Sequence, residues 1–208
     1  MKYFIHTFTG LPYPPATPED EFVLSTPDTS LITSILSAGT FFGAIIAGDC
    51  ADFFGRKWTI VGGCAIFAIG VVIQTASASV GVLAAGRLIA GIGVGFESAI
   101  VILFMSEIAP RKVRGALVAG YQFCITIGLM LASCVDYGTQ NRIDSGSYRI
   151  PIAIQFAWAI ILGVGIACLP ESPRYYVKRG RVDAAITSLA KLRGQPRDSE
   201  YVQQEVSR

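Results

Sequence analysis

Five long apolar stretches constrain the fold of this chain more than any other feature. The uncharged runs are Leu31–Gly48, Trp58–Gly86, Gly115–Val135 and Ile150–Pro170, and Leu88–Met105 is interrupted only by Glu97. A bilayer core about 30 Å thick is crossed by roughly 20 residues of α-helix. Small and polar residues at 75–79 divide the longest run between two helices. The pattern predicts transmembrane helices near 30–49, 57–76, 80–106, 114–136 and 149–169.

The composition agrees with lipid as the solvent. Only 15% of the residues are charged and 52% are hydrophobic, whereas a soluble domain carries about 25% charged residues. We therefore expect an all-α membrane protein. His6 is the only histidine, and no cysteine lies in a CxxC pair. We expect no metal, cofactor or enzymatic site, and no basic patch suited to nucleic acid.

The basic residues predict how the helices are oriented. Of the 17 Lys and Arg residues, 13 lie after the first span, after the third span or in the C-terminal tail. Because cytoplasmic loops are enriched in Lys and Arg, these segments are expected in the cytosol, with the N-terminus outside. A topology of four or six spans would break this alternation.

The two ends of the chain differ from the apolar middle. Residues 1–29 are rich in proline and acidic side chains and are interpreted as an extracellular loop. Residues 30–169 form the transmembrane part. Residues 170–208 contain a helical apolar pattern at Val182, Ile186 and Leu189, which predicts an amphipathic cytosolic helix below the bundle.

Small residues at intervals of four predict close helix packing. Gly39 and Gly43 form one such pair in the first span, and Gly91 and Gly95 form another in the third. The fourth span has a similar stripe at 120, 124 and 128. In lipid, such stripes let helix backbones approach closely.

Two charges fall inside the third span. Arg87 either snorkels to the interface or is an inward cation that needs a carboxylate. Glu97 lies ten residues further on, about 15 Å along the helix axis, which is too far for direct pairing with Arg87. Glu97 is either protonated or lines a cavity.

Three segments carry sequence signatures of a known family. Residues 48–57 resemble the G-x-x-x-D-R-x-G-R-R loop of the major facilitator superfamily, with Phe53 where a basic residue is usual. Residues 86–115 resemble the fourth helix of its sugar porter family and the exit from that helix. Pro170–Arg174 matches the P-E-S-P-R signature after helix six. The chain as a whole is most similar to fungal hexose transporters.

The resemblance implies a partial N-terminal half of a twelve-helix transporter, with the five spans corresponding to helices two to six. Within residues 1–29, residues 1–8 resemble only the outer end of helix one, which implies a remnant of that helix. It implies a sugar site at Gln122, which matches a sugar-binding glutamine, and at Ile125 and Leu129 on the same helix face. Arg87 matches an arginine that pairs with a helix-one aspartate in proton-coupled members, and this partner is not found in the chain. We expect Arg87 to be strained unless water or lipid headgroups reach it.

The resemblance also implies a cytosolic gate network. The positions that match it are Asp52, Arg56, Lys57, Glu107, Arg114, Glu171 and Arg174. From spacing alone, these charges could equally be solvated side chains beside the membrane.

The expected function is that of a piece of a sugar transporter working by alternating access, as a monomer in the plasma membrane and inactive by itself. Its partners would be a sugar, the lipid bilayer and, in a symporter, protons. A membrane-embedded sensor or regulatory partner is the alternative. A polyol, pentose, disaccharide or quinate substrate also remains open.

Overall fold

Seven α-helices make up the described part of the chain. The computed structural model describes residues 26–77, 79–110, 113–139, 144, 146–197 and 199. The helices are α1 Thr26–Phe54, α2 Arg56–Ala76, α3 Val80–Ile108, α4 Arg114–Thr139, α5 Gly146–Cys168, α6 Pro173–Lys178 and α7 Val182–Arg193. The first five are long and apolar enough to cross a membrane. The predicted all-α membrane fold and the C-terminal amphipathic helix are therefore confirmed.

Helix α1 begins earlier than the apolar run suggested. Pro27 and Asp28 lie in its first turn, where the fixed φ of proline and a negative charge both favour a helix start. Residues 26–29 therefore belong to this helix and not to the expected loop. The rest of that loop lies outside the described residues.

The same helix also ends later than expected, at Phe54. Asp49 and Asp52 ended the uncharged run, but both continue the helix at its polar end. Gly55 then turns the chain with φ at 100°, a conformation that side chains rarely allow. Helix α2 begins directly after it.

The glycine pairs of α1 and α3 face each other, and they allow the close packing that their spacing predicted. A Cβ atom on Gly39 would lie 2.5 Å from the carbonyl oxygen of Leu88 and 3.1 Å from the Cα of Gly91. A Cβ on Gly91 would lie 2.5 Å from the carbonyl oxygen of Leu36. The two backbones are therefore in direct contact, and no side chain fits between them.

Helix α2 packs on another face of α3. A Cβ on Gly93 would lie 2.6 Å from the backbone nitrogen of Phe67, and one on Gly86 would lie 2.8 Å from the Cγ of Gln74. The amide of Gln74 donates to the carbonyl of Gly86 at 3.4 Å. Helix α3 is thus the central helix, and α5 packs on the far side of α2 through Gly163, beside Cys64.

A buried apolar cluster joins α1, α2 and α3 near the polar end of α1. Leu162 and Ile166 of α5 cover it from outside. Its members are Ala47, Ala51, Ile60, Cys64, Phe96, Ile100 and Phe104. The cluster lies immediately next to the charged residues described below, so it fixes the helix ends that carry them.

Helix α4 is the least covered of the spans. None of the residues in its most apolar 18-residue stretch is buried, whereas 39% of the residues in the corresponding stretch of α3 are buried. A Cβ atom added to Gly120 or Gly128 would have no neighbouring atom within 4 Å, and Cys124 is exposed. The third small-residue stripe therefore packs on nothing within the described residues.

We predict that Gly91→Ala destabilises the bundle by about 1–3 kcal/mol, because the added methyl group collides with the backbone of α1. The matched control is Gly62→Ala, whose methyl group enters open space and gains helix propensity. Thermal unfolding of the protein purified in detergent measures both. Equal melting temperatures for the two variants would contradict the packing of α1 on α3.

Candidate functional site

Arg56 is the centre of a charged site where α1 and α3 end. Its Nη1 lies 3.1 Å from Asp52 Oδ1 and donates to the carbonyl of Ala51 at 3.2 Å. Its Nε lies 3.3 Å from Glu107 Oε2. Nε has no hydrogen-bond partner, so its contact with Glu107 is an ion pair and not a hydrogen bond. The guanidinium thus bridges two helices.

The pairing with Glu107 is protected from solvent, whereas Asp52 is not. The side chains of Arg56 and Glu107 are 8% and 5% exposed, and that of Asp52 is 51% exposed. Charge pairs at exposed positions contribute little to stability, but a buried charge that loses its partner is costly. The pair of Arg56 with Glu107 is therefore the energetically critical contact of this site.

Glu171 closes the start of α2. Its carboxylate accepts hydrogen bonds from the backbone N–H of Lys57, at 3.0 and 3.3 Å, and from that of Ser172 at 2.9 Å. A carboxylate at a helix N-terminus also interacts favourably with the helix dipole. A Cβ on Gly55 would lie 2.5 Å from Glu171 Oε2, so this glycine is required for space as well as for its φ angle.

The neighbouring Ser172 connects the same segment to α3. Its hydroxyl donates a short hydrogen bond to Glu107 Oε2, the oxygen that also faces Arg56. From α7, the hydroxyl of Ser188 donates to the carbonyl of Glu171. The Pro170–Arg174 segment is therefore held from three sides, by α2, α3 and α7.

Helix α6 and the residue after it cover the end of α1. Lys178 Nζ lies 2.6 Å from Asp52 Oδ2. The hydroxyl of Tyr175 donates to the carbonyl of Phe53 at 3.1 Å. Arg179 donates to the carbonyls of Asp52, at 3.3 Å, and of Phe53. We call the whole set the helix-end cluster; its side chains are Asp52, Arg56, Glu107, Glu171, Ser172, Tyr175, Lys178 and Arg179.

Four members of this cluster were not predicted from the sequence: Ser172, Tyr175, Lys178 and Arg179. For Tyr175 and Arg179, the signal that could have found them is the need of the last carbonyls of α1 for donors. A second case follows the same rule, since Arg193 of α7 donates to the carbonyl of Ile108 at the end of α3 at 3.1 Å.

Three of the predicted gate residues take other positions. Lys57 joins the cluster through its backbone N–H, while its ammonium group lies 5.5 Å from the ring centroid of Trp58. Within the described residues, no ion pair or hydrogen bond ties Arg114 or Arg174 to the cluster. Arg174 is exposed, and the Nε of Arg114 is buried without a hydrogen-bond partner.

Arg87 and Glu97 lie apart on α3. The Nη1 of Arg87 donates to the carbonyl of Ile32 in α1 at 3.3 Å, while its Nε is buried without a partner among the described residues. Glu97 faces Cys64 of α2, and its Oε1 is likewise buried and unpartnered there. Arg87 is therefore only partly satisfied.

The three predicted sugar contacts share one face of α4. Gln122, Ile125 and Leu129 are all exposed, the last two by 41% and 65%. Their spacing of three and seven residues places them above one another on the helix. The described residues leave this face open.

Comparison with known proteins identifies the family. A family model described as "Sugar (and other) transporter" matches residues 4–208. The chain belongs to this sugar transporter family. It is 49% identical over its full length to the major facilitator-type transporter ecdD of Aspergillus rugulosus, and it spans 38% of that protein. Over 92% of the chain it is 45% identical to the high glucose sensor RGT2 of Saccharomyces cerevisiae, of which it spans 25%.

A solved structure shows the same fold. The inward open xylose transporter XylE from E. coli superposes with a TM-score of 0.76 over 99% of this chain, at 24% identity, and the chain covers 48% of it. Membership in the family and five apolar helices establish an integral membrane protein.

Phe53 is the position at which the chain departs from the family loop. Its ring is 67% exposed, and the guanidinium carbon of Arg179 lies 5.6 Å from the ring centroid. A cation over an aromatic face is attracted to it. A positive charge therefore lies beside this position, although it comes from the residue after α6.

We predict that Arg56→Met lowers the free energy of unfolding by about 3–5 kcal/mol, because Glu107 would remain buried without its cation. The matched control, Lys178→Met, breaks an exposed pair and should cost at most about 1 kcal/mol. Thermal unfolding in detergent compares them. A Lys178 variant as unstable as the Arg56 variant would contradict this ranking.

We predict that Arg87→Leu keeps or raises the melting temperature, because the substitution loses one long hydrogen bond but removes a partly unpaired guanidinium from a membrane span. The measurement is thermal unfolding of the purified polypeptide, with Arg87→Lys as the charge-retaining control. A lower melting temperature for the leucine variant would show that Arg87 is not strained.

Proposed function

We propose that this chain forms part of the N-terminal half of a sugar transporter that works by alternating access. The helix-end cluster supports this proposal most strongly. It joins the ends of α1, α2 and α3 to α6 and α7 through ion pairs and hydrogen bonds, which can break and re-form without disrupting the apolar core. Transporters of this class bind substrate between two halves that rock against each other.

The proposed sugar contacts are Gln122, Ile125 and Leu129. A sugar hydroxyl both donates and accepts hydrogen bonds, and the amide of Gln122 does the same. Two apolar side chains beside the amide would contact the carbon face of the ring. We propose a hexose-like sugar as substrate, and the exposed face of α4 is where it would bind.

Arg87 and Glu97 are the proposed sites of proton coupling or of a structural ion pair. Both have a buried polar atom without a partner among the described residues. A buried carboxylate that takes up a proton no longer carries the cost of an unpaired charge. In this proposal, Glu97 takes up and releases a proton when water reaches it during the transport cycle.

The proposed orientation places the helix-end cluster and the C-terminus in the cytosol, in the plasma membrane. Arg56 and Lys57 belong to a predicted cytosolic loop. They lie at this end of the bundle together with α6 and α7. The proposed partners are a sugar, the surrounding lipid and, in a symporter, protons. The whole transporter is proposed to act as a monomer without cofactors.

Sugar sensing is a second candidate function, because one close relative carries the name of a glucose sensor. A sensor and a transporter would share the sugar contacts on α4. They differ in flux, since a sensor binds the sugar without carrying it across the membrane.

The sugar site is tested best in a chimera. Residues 4–208 would replace the matching segment of a twelve-helix hexose transporter, in a yeast strain that lacks its own hexose carriers. We expect glucose uptake, reduced at least about tenfold by Gln122→Ala, because a lost hydrogen bond to an uncharged polar ligand costs about 0.5–1.5 kcal/mol and the unpaired hydroxyl adds to this. The matched control is Gln155→Ala on α5.

Uptake that is unaffected by Gln122→Ala would contradict the proposed site. A chimera that reaches the plasma membrane and binds glucose without uptake would favour the sensor.

We predict that the 208-residue polypeptide alone carries no sugar into proteoliposomes. Alternating access needs two bodies around one site, and the face of α4 that would bind sugar is open. The measurement is uptake of labelled glucose, with the intact chimera as the positive control. Saturable flux that unlabelled hexose competes away would overturn this prediction.

A further inference from the structure

A cavity of about 400 Å³ lies beside the helix-end cluster, on the outer side of the bundle. It is bounded by the first turn of α2, the Pro170–Arg174 segment after α5, α6 and α7. Lys57, Trp58, Tyr176 and Lys191 provide its cationic and aromatic walls, and Glu171 borders it. None of these groups is needed for the sugar contacts on α4.

Two ammonium groups in this wall have no carboxylate partner among the described residues. Lys57 Nζ lies over the ring of Trp58, and Lys191 is exposed at the other side of the cavity. Neither takes part in an ion pair in the described part of the chain. The one bordering carboxylate, that of Glu171, already accepts hydrogen bonds from two backbone N–H groups.

This arrangement is suited to a phosphate group. Each ammonium group offers three N–H donors and the hydroxyl of Tyr176 offers another, while the carboxylate of Glu171 is held on its own backbone donors. Lysines from two different helices that line one cavity can contact different oxygens of the same phosphate. A neutral or cationic ligand would leave both charges uncompensated.

The surroundings of the cavity indicate a lipid as the source of the phosphate. Trp58 and Phe54 are each 60% exposed, and Leu169 at the end of α5 is 42% exposed. These apolar side chains lie where the spans end, the depth at which tryptophan is enriched in membrane proteins. A free phosphate ion would make no use of this apolar rim, whereas the acyl chains of a lipid would cover it.

We propose that this cavity binds the headgroup phosphate of an anionic phospholipid, with Lys57 and Lys191 as its cationic contacts and the acyl chains along Trp58. In the proposed orientation the lipid belongs to the cytosolic leaflet, which is the anionic one. The bound headgroup joins α2 to α7 directly beside Glu171. The composition of the leaflet would thereby influence how firmly α7 holds the helix-end cluster.

The chain offers an internal reporter for this site. Trp58 and Trp158 are its only tryptophans, so Trp158→Phe leaves Trp58 as the only tryptophan fluorophore. The purified 208-residue protein, in this background, would be reconstituted in phosphatidylcholine vesicles. Quenching of Trp58 would be compared for phosphatidylserine and phosphatidylcholine that carry brominated acyl chains. We expect phosphatidylserine to quench at a mole fraction at least about fivefold lower.

Variants and competitors decide between the possible outcomes. Lys57→Gln and Lys191→Gln should each reduce the preference for phosphatidylserine about fivefold, the effect of one basic residue near an anionic surface. The control Arg197→Gln removes the same charge from an exposed position outside the cavity and should keep the preference. Vesicle association and the elution volume before reconstitution check that each variant is folded.

Equal quenching by the two lipids would overturn the proposal, and so would a preference that survives both lysine substitutions. Displacement of the brominated phosphatidylserine by millimolar inorganic phosphate would also overturn it, because the site would then recognise a free ion. These readouts do not depend on sugar transport, so a failure of the lipid site can be distinguished from a failure of the proposed function.

Discussion

The close approach of α1 to α3 is the contact on which the rest of the structure depends. Between membrane helices there is little hydrophobic driving force, so association depends on backbone packing and on polar contacts. Gly39 and Gly91 remove the side chains that would keep the two helices apart. The same approach carries through to the polar ends of both helices, where Arg56 reaches Asp52 on one side and Glu107 on the other.

The helix-end cluster combines two kinds of contact with different energetic weight. Arg56 and Glu107 are buried, so loss of Arg56 leaves Glu107 uncompensated, and loss of Glu107 leaves Arg56 with only the half-exposed Asp52. Lys178 and Asp52 form an exposed pair that contributes little by itself, whereas Tyr175 and Arg179 donate to the last carbonyls of α1. A site of this kind resists complete separation and still allows individual contacts to exchange, which suits the proposed alternating access.

Much of the fold could be predicted from the sequence, because each span is a long local pattern. The apolar runs identified five helices, and the glycine spacing identified close-packing surfaces on α1 and α3, although not that these two surfaces meet. The start of α1 at Thr26 was not predicted, because the helix was placed from the uncharged run alone. The helix-start signals of Pro27 and Asp28 lie before that run. Helix α6 was not predicted because it is too short to show a helical periodicity of apolar residues in the sequence.

The site was only partly predictable, for a different reason. Family motifs identified Arg56, Glu107 and Glu171, which do come together. They did not reveal that Lys57 acts through its backbone, and they did not identify Lys178, which meets a residue 126 positions earlier in the chain. Contacts of this kind depend on where α6 lies relative to α1, and local sequence patterns do not determine that position.

A double-mutant cycle on Arg56 and Glu107 tests the central claim most directly. The free energies of unfolding of the parent, Arg56→Met, Glu107→Gln and the double variant give the coupling between the two side chains. The structure predicts a coupling of about 2–3 kcal/mol, because Arg56→Met leaves Glu107 buried without a counter-charge and Glu107→Gln leaves Arg56 with only the half-exposed Asp52. A coupling near zero would show that the two side chains do not interact and would contradict the helix-end cluster described here.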